Sequence, residues 1–508
     1  MAELNYGRLS REQQNELSRS MGRASDSRKS DSASKKNAAA GLNDVLVPPA
    51  NKYKNIPAGN GASAAKPKQA QPKAEVKKTA PAKAAAAPAA PKKKAKKSSG
   101  IAAGIAGAAV QKIFVHPEKP DAPAVTCTWF KNRGRFDMPM FTVIMILLVM
   151  GIVMMTSASY AYSYAEEGDS FSYAVKQIQG AAIGLIGMFF LSRLDYHALI
   201  TPLSLKKKEN GNGITFAKIL LVVSLGLMVM VMFFGESVND AKRWITIFGT
   251  QFQPSEILKI AVIVMVAYML QRYYEVRRDS YYGFLRYWYV LIPALLMCVM
   301  QRHISALLII FVIVYVMMFV GGCNRNCLVF LMVLGVLGML ALLFVFRYEY
   351  LWDRINGFID PFSDIRGDTY QTYQSLLTIG SGGWFGLGLG NSRQKYFYLP
   401  ESQNDFVFSI ICEELGFFGA VTVILLFVLF IARGLYISAK ARDKFGSFLA
   451  LGITIQIGMQ ALMNIGVACN AIPNTGISLP FFSYGRTALI IQLVEMGLLL
   501  SVSKQSDT

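Results

Sequence analysis

Residues 370–416 read YQTYQSLLTIGSGGWFGLGLGNSRQKYFYLPESQNDFVFSIICEELG. The stretch is polar, aromatic and glycine-rich, yet it lies between long apolar runs. Most connections between membrane helices are short, and long ones tend to carry function. The stretch therefore points to an enzyme working at a membrane surface rather than to a simple channel.

The apolar runs around it set the fold. Hydrophobic residues make up 53% of the 508-residue chain. Ten runs approach the length needed to cross a bilayer: 138–156, 174–194, 216–235, 255–271, 287–301, 303–320, 328–346, 406–432, 445–469 and 483–503. The fifth and sixth are nearly continuous, broken at Gln301-Arg302-His303, which reads as a break near the midplane. The expected fold is an all-α polytopic membrane protein of ten transmembrane helices, with a large extracytoplasmic loop between spans seven and eight. Two regions are expected: a tail over 1–135 and a ten-span domain over 136–508.

The tail differs in kind. Residues 1–137 hold 26 Lys and Arg against 10 Asp and Glu, a net +16 of the chain's +20. Its Ala, Lys, Pro and Ser composition cannot bury enough apolar surface to offset chain entropy, so disorder is expected. No apolar segment follows Met1, so no signal peptide is expected. The lysine clusters suit either contact with anionic membrane lipid or a solvated tether. No folded reader accompanies them, so nucleic acid is not an expected partner.

Basic residues fix the expected orientation. Lys206–Lys208, Arg272, Arg277, Arg278, Arg286, Arg325, Arg433, Lys440, Arg442, Lys444 and Lys504 fall on the side of the tail. Both termini are then cytoplasmic, and the loop over 347–404 lies outside, where no nucleotide is supplied.

Several residues are candidates for chemistry. Asp405 enters span eight, either as a helix cap or as a general base at the membrane boundary. Glu256 and Lys259, at i and i+3, share a face of span four as an ion pair or as part of a site. Arg243, Arg393 and Lys395 are cations on the outer side, suited to an anionic phosphate head group or to plain solvation. The glycines from 380 to 390 form tight turns or a phosphate nest, without the ending of a P-loop. Glu413 and Glu414 read as structural, with at most one facing Asp405. His303 reads as a packed, hydrogen-bonded residue. Cys323 and Cys327 lack further ligands nearby and read as ordinary thiols rather than a metal pair.

Four segments carry a resemblance: SAS (157–159), KRWITIFGTQFQPSEILK (242–259), residues 370–419, and NIGVACNAIPNTGISLPFFSYG (464–485). Together they resemble the SEDS family (shape, elongation, division and sporulation), over essentially all of 136–503. The segment GLGNSRQKYFYLPE looks more like its FtsW and SpoVE branch than RodA. The resemblance implies a peptidoglycan glycosyltransferase of the cytoplasmic membrane that polymerises lipid II. It implies that Asp405 is the essential residue, that Glu256 and Lys259 line its cavity, and that a class B penicillin-binding protein is the partner. The pyrophosphate leaving group needs charge neutralisation, for which Arg243, Arg393 and Lys395 are the protein candidates. No cofactor is certain; a divalent cation, Mg or Mn, would serve the same end. Two departures stand out: Arg302 to Ala306 replaces the family's Pro-Asp-Leu-Gly-Thr segment, and Gln403-Asn404 precedes Asp405 where His-Thr is frequent. The rival reading is a flippase for the lipid-linked precursor, supported by the break at Gln301–His303. A scaffold working through the tail is a third reading.

Overall fold

The computed structural model describes residues 134–202, 213–238, 241–247, 250–273, 284–344, 349–365, 367 and 369–506. The expected tail up to 133, Lys206–Lys208, Arg277 and Arg278 lie outside the described residues.

Among the described residues the chain is mostly helical. The helices are α1 (Met138–Glu167), α2 (Ser172–Arg193), α3 (Phe216–Phe234), α4 (Pro254–Arg272), α5 (Trp288–Met300), α6 (Ile304–Val320), α7 (Arg325–Phe344), α8 (Glu349–Ile359), α9 (Tyr370–Ser381), α10 (Val407–Lys440), α11 (Lys444–Ala468) and α12 (Arg486–Gln505). Three short antiparallel strands, β1 (Glu236–Val238), β2 (Ala241–Ile247) and β3 (Thr250–Phe252), join α3 to α4 in the order β1-β2-β3.

Eight of these helices are long and apolar enough to cross a membrane: α1 to α4, α7 and α10 to α12. Helices α5 and α6 are apolar but shorter, at 13 and 17 residues. They rise about 20 and 26 Å, less than the roughly 30 Å hydrocarbon core. The ten apolar helices follow the order of the ten predicted runs.

Helices α4 and α11 form the centre, with 83% and 78% of their apolar windows buried, against 22% for α7. Polar groups on α4 and α11 therefore face protein. Helix α12 lies close along α2 because Gly180, Gly184 and Gly187 face Arg486, Leu493 and Val494. A Cβ at Gly184 would stand 2.6 Å from Leu493 Cδ1. Small residues at such a seam let helix backbones approach.

The long connection before α10 is not wholly a loop. Helix α10 is broken at Gly416, whose φ of 67° and ψ of −165° are not helical. The hairpin after α9 fills the break. Leu387 and Gly388 N–H donate to the carbonyls of Glu413 and Glu414 at 2.9 and 3.0 Å, and Phe417 N–H donates to Gly383 O at 2.9 Å. Carbonyls freed by the break thus regain donors, which hydrocarbon would not supply. Gly386 is required here: its Cβ would lie 2.1 Å from Glu414 O. Gly416 is nine residues beyond the start of α10, about 14 Å along the axis. The expected outer loop is thus corrected. Its α9 and glycine-rich part runs down beside α10.

The break between α5 and α6 is held by its neighbours. Arg243 of β2 donates to the carbonyls of Gln301 and Arg302, and Ser305 donates to Thr475 O in the α11–α12 connection. The break is thus tied to these connecting segments, while Gln301 Nε2 also donates to Met228 O inside α3 at 2.8 Å.

Polar clamps close the opposite end. Arg433 pairs with Asp137, Nη2 to Oδ2 at 2.6 Å. His197, in the turn after α2, has Nδ1 2.6 Å from Asp195 and Nε2 3.4 Å from Asp443, the N-cap of α11. Gln505 of α12 donates to Asp195 at 3.0 Å. Burial alone would lower the imidazole pKa, but its interactions with the Asp195 and Asp443 carboxylates, which accept its N–H groups, outweigh burial and raise it to about 9.

Candidate functional site

Asp405 stands on a turn held by its backbone. Its N–H reaches Glu401 O at 3.2 Å. Asn464 of α11 splits one amide between Asp405 O and Ile477 O, both at 2.7 Å. Tyr484 N–H donates to Gln403 O at 2.8 Å, and Ser483 donates to Asn404 O. The α11–α12 connection therefore fixes the turn from behind and leaves the side chain free of structural duty. Asp405 is not the helix cap: the N-cap of α10 is Phe406, with no side-chain cap bond. No described residue donates a hydrogen bond to the Asp405 carboxylate.

Two guanidinium groups flank that carboxylate. A Cβ built on Gly476 would lie 3.3 Å from Asp405 Oδ2 and 3.7 Å from Arg354 Nη2. Gly476 adopts φ 65°, a conformation suited to glycine. Its missing side chain keeps the space between the carboxylate and the guanidinium open. Arg354, on α8, is anchored by a hydrogen bond to Asn474 O. Arg243 is anchored on Gln301 and Arg302 and acts electrostatically on Asp405 and Arg354.

These surroundings set the charge state of Asp405. Burial, then the neighbouring Glu401 charge, push its carboxyl up, while Arg354 and Arg243 pull it back, leaving it at about 6. Burial lowers Arg354 to about 10, so it remains a cation at neutral pH. A largely buried carboxylate near 6 can accept a proton, and the two cations beside it can hold an anion at the same place.

The other expected site residues divide. Glu256 and Lys259 pair at 2.8 Å and are both buried. They act on Glu495 of α12, whose two oxygens each accept from Gln456 Nε2 at 2.9 Å. This second charged cluster lies within the bundle. Buried His303 feels both Arg243 and Lys259 and so lies between the two clusters, and its Nδ1 has no hydrogen-bond partner among the described residues.

Lys395 is placed away from any open site. Its ammonium is buried against Glu414 Oε1 at 3.1 Å, Ser157 Oγ at 3.0 Å and Gly390 O at 2.6 Å. Arg393 is exposed, and its N–H donates to Glu413 at 3.2 Å. Glu413 and Glu414 both reach the same turn: Gly390 and Ser392 N–H donate to Glu414 at 3.0 and 3.2 Å, and the Ser392 hydroxyl donates to Glu413. The glycine-rich turn is therefore an anion nest, and its anions are the chain's own carboxylates.

Arg354, Glu401 and Glu495 were not anticipated. For Glu495 a signal existed, a lone acid in the apolar run LIIQLVEMGLLL. Arg354 carried none, because its meaning depends on Gly476, far along the chain. Among the described residues no three His, Cys, Asp or Glu side chains gather as a metal-binding group.

Comparison with known proteins follows this geometry. A family profile described as cell cycle protein, covering FtsW, RodA and SpoVE, matches residues 138–508. Stage V sporulation protein E of Bacillus subtilis (strain 168) is 37% identical over 372 residues, 73% of this chain and 97% of that protein. A probable peptidoglycan glycosyltransferase FtsW of Geobacter sp. (strain M18) is 36% identical, covering 72% and 96%. Among solved structures, a chain from a peptidoglycan synthase complex coordinating polymerization and crosslinking aligns with TM-score 0.58 at 25% identity, covering 72% and 97%. A rod shape determining protein RodA of Thermus thermophilus aligns with TM-score 0.51 at 24% identity, covering 73% and 98%, and shares the fold.

Proposed function

We propose that this chain, which belongs to the FtsW, RodA and SpoVE family of cell cycle proteins, polymerises lipid II at the outer face of the cytoplasmic membrane with Asp405 as general base. It is a peptidoglycan glycosyltransferase with many apolar helices of membrane-spanning character. The observation that carries the reading is the Asp405 carboxylate, raised to about 6, free of described hydrogen-bond donors, and opposed by Arg354 across an open glycine.

Asp405 takes the proton of the acceptor hydroxyl as that oxygen attacks the donor's anomeric carbon. The bond from the anomeric carbon to the phosphate oxygen breaks, and lipid pyrophosphate leaves with inversion. A base near 6 is mostly ionised at pH 7 yet basic enough to receive the proton. Arg354 and Arg243 stabilise the charge developing on the pyrophosphate. A divalent cation would find oxygen ligands at Asp405 and Glu401 and would neutralise the same charge. Glu256, Lys259 and Glu495 hold the bundle beneath; breaking such a buried pair costs about 3–5 kcal/mol.

The basic residues Arg272, Arg325, Arg433, Lys440, Arg442 and Lys504 support an orientation with both termini in the cytoplasm. The likeness to a chain of a peptidoglycan synthase complex supports a class B penicillin-binding protein as partner. The flippase reading draws on the α5–α6 break, whose backbone is held by Arg243. The test is incubation of purified protein and partner with lipid II and no nucleotide. Glycan polymer on a gel is expected; its absence, with lipid movement across vesicles, would favour the flippase.

A further inference from the structure

Beyond the Gly390–Lys395 turn the chain sets three aromatic residues in a row and leaves each half exposed: Tyr396 at 51%, Phe397 at 52% and Tyr398 at 58%. The residue after them, Leu399, is fully buried, and its N–H donates to Gln394 O at 3.0 Å. The row is thus displayed from an anchored turn. Phe397 has φ 65° and Glu401 has φ 54°. A bulky residue in this region is a genuine outlier, and such strain gathers at ligand-binding sites.

The row adjoins the site. The Phe397 ring packs on Tyr162 of α1, with centroids 4.8 Å apart and planes at 55°. The Tyr162 hydroxyl lies against the Glu401 backbone, and Glu401 acts directly on Asp405. One side chain therefore separates the aromatic row from the carboxylate pair.

A second exposed aromatic group shows what the row is not. Trp384, Phe385, Phe417 and Phe418 surround the break in α10, with Trp384 and Phe417 centroids 5.2 Å apart. That group lies down the helix and carries no hydroxyl, which suits acyl chains. Tyr396 and Tyr398 carry two hydroxyls, and Arg393 and Glu401 flank the row. Rings with polar tips in polar company suit a ligand that alternates C–H faces with hydroxyls. The electropositive C–H face of a sugar stacks on the negative face of an aromatic ring, while phenol groups exchange hydrogen bonds with its hydroxyls and amides.

We propose that Tyr396, Phe397 and Tyr398 form a stacking platform for a saccharide strand, the glycan being extended at Asp405. The platform holds the strand beside the transfer site between additions, so the chain stays bound while the next lipid-linked unit arrives. This rests on the reading of Asp405 as the site of transfer.

The test uses the full chain in lipid nanodiscs and two probes: a peptide-free oligosaccharide of β-1,4-linked N-acetylhexosamines, and lipid II with the penicillin-binding partner. The variants are Tyr396→Ala/Tyr398→Ala and, separately, Phe397→Gly, which removes the ring and relaxes the left-handed backbone. Loss of two stacks should weaken oligosaccharide binding about tenfold and shorten the polymer. Phe397→Gly should do the same in part. Asp405→Asn should still bind the oligosaccharide while making no polymer, so failure of the platform and failure of the transferase reading give different results. Unchanged oligosaccharide binding in both variants would overturn the platform, whether or not the wild type polymerises. So would loss of partner or vesicle binding with oligosaccharide binding intact, which would mark the row as a protein or lipid contact.

Discussion

The Asp405 carboxylate sits between opposed influences: burial and Glu401 push its pKa up, and Arg354 and Arg243 pull it down. As the proposed base, Asp405 must be ionised to act, so the acid limb of the rate profile should report this balance near pH 6. Arg354→Gln removes one downward pull. Its acid limb is expected to move to higher pH, with kcat/KM reduced across the range; an unmoved limb would mean that Arg354 does not act on the base. Gly476→Ala should be harmful for a different reason. The methyl would stand 3.3 Å from Asp405 Oδ2 at a φ of 65°, where a side chain costs about 1–2 kcal/mol. Polymerisation should fall sharply with only a small drop in melting temperature. Asp405 itself was legible in the sequence as a boundary acid, with a cap and a base as its alternatives. The cap on α10 turned out to be Phe406. The burial and pairing of Lys395 were not legible, because sequence spacing does not show that adjacent Glu413 and Glu414 both bend to one turn.

At the scale of elements, the ten apolar helices were legible because a bilayer demands long apolar runs. The re-entrant hairpin was not. Its register depends on the Gly416 break and on backbone bonds to Glu413 and Glu414, which leave no period in the sequence. The clamp of the turn after α2 on α11 and α12 was equally hidden, since Asp443 and Gln505 lie far along the chain from Asp195 and His197. It makes a stability prediction. His197 is raised from 6.5 to about 9, so its contribution is complete below pH 6.5 and is lost as pH rises through 9. The loss is at most on the order of 3 kcal/mol. Melting temperature should decline between pH 6.5 and 9, and Asp443→Asn should flatten that decline. An equal slope in wild type and variant would rule out the clamp as its cause.

At the scale of the whole molecule, the proposed chemistry requires the Asp405 end to face outward. Cysteines introduced one at a time into a Cys469→Ser background test this, because native Cys469 is exposed while Cys298, Cys323, Cys327 and Cys412 are buried. Sites at Gly168 and Tyr398 should react with an impermeant thiol reagent on intact cells, and a site at Lys440 should not. The reverse pattern would reject the outer-face reaction. The most direct measurement concerns the central claim. Asp405→Asn keeps the shape of the side chain, and its carboxylate accepts no described structural hydrogen bond. The variant should fold, reach the membrane and bind its partner. Its rate of lipid II polymerisation should fall about a hundredfold to ten-thousandfold, the usual cost of losing a general base. A rate near that of the wild type would contradict the assignment of Asp405 as the base, and the mechanism with it.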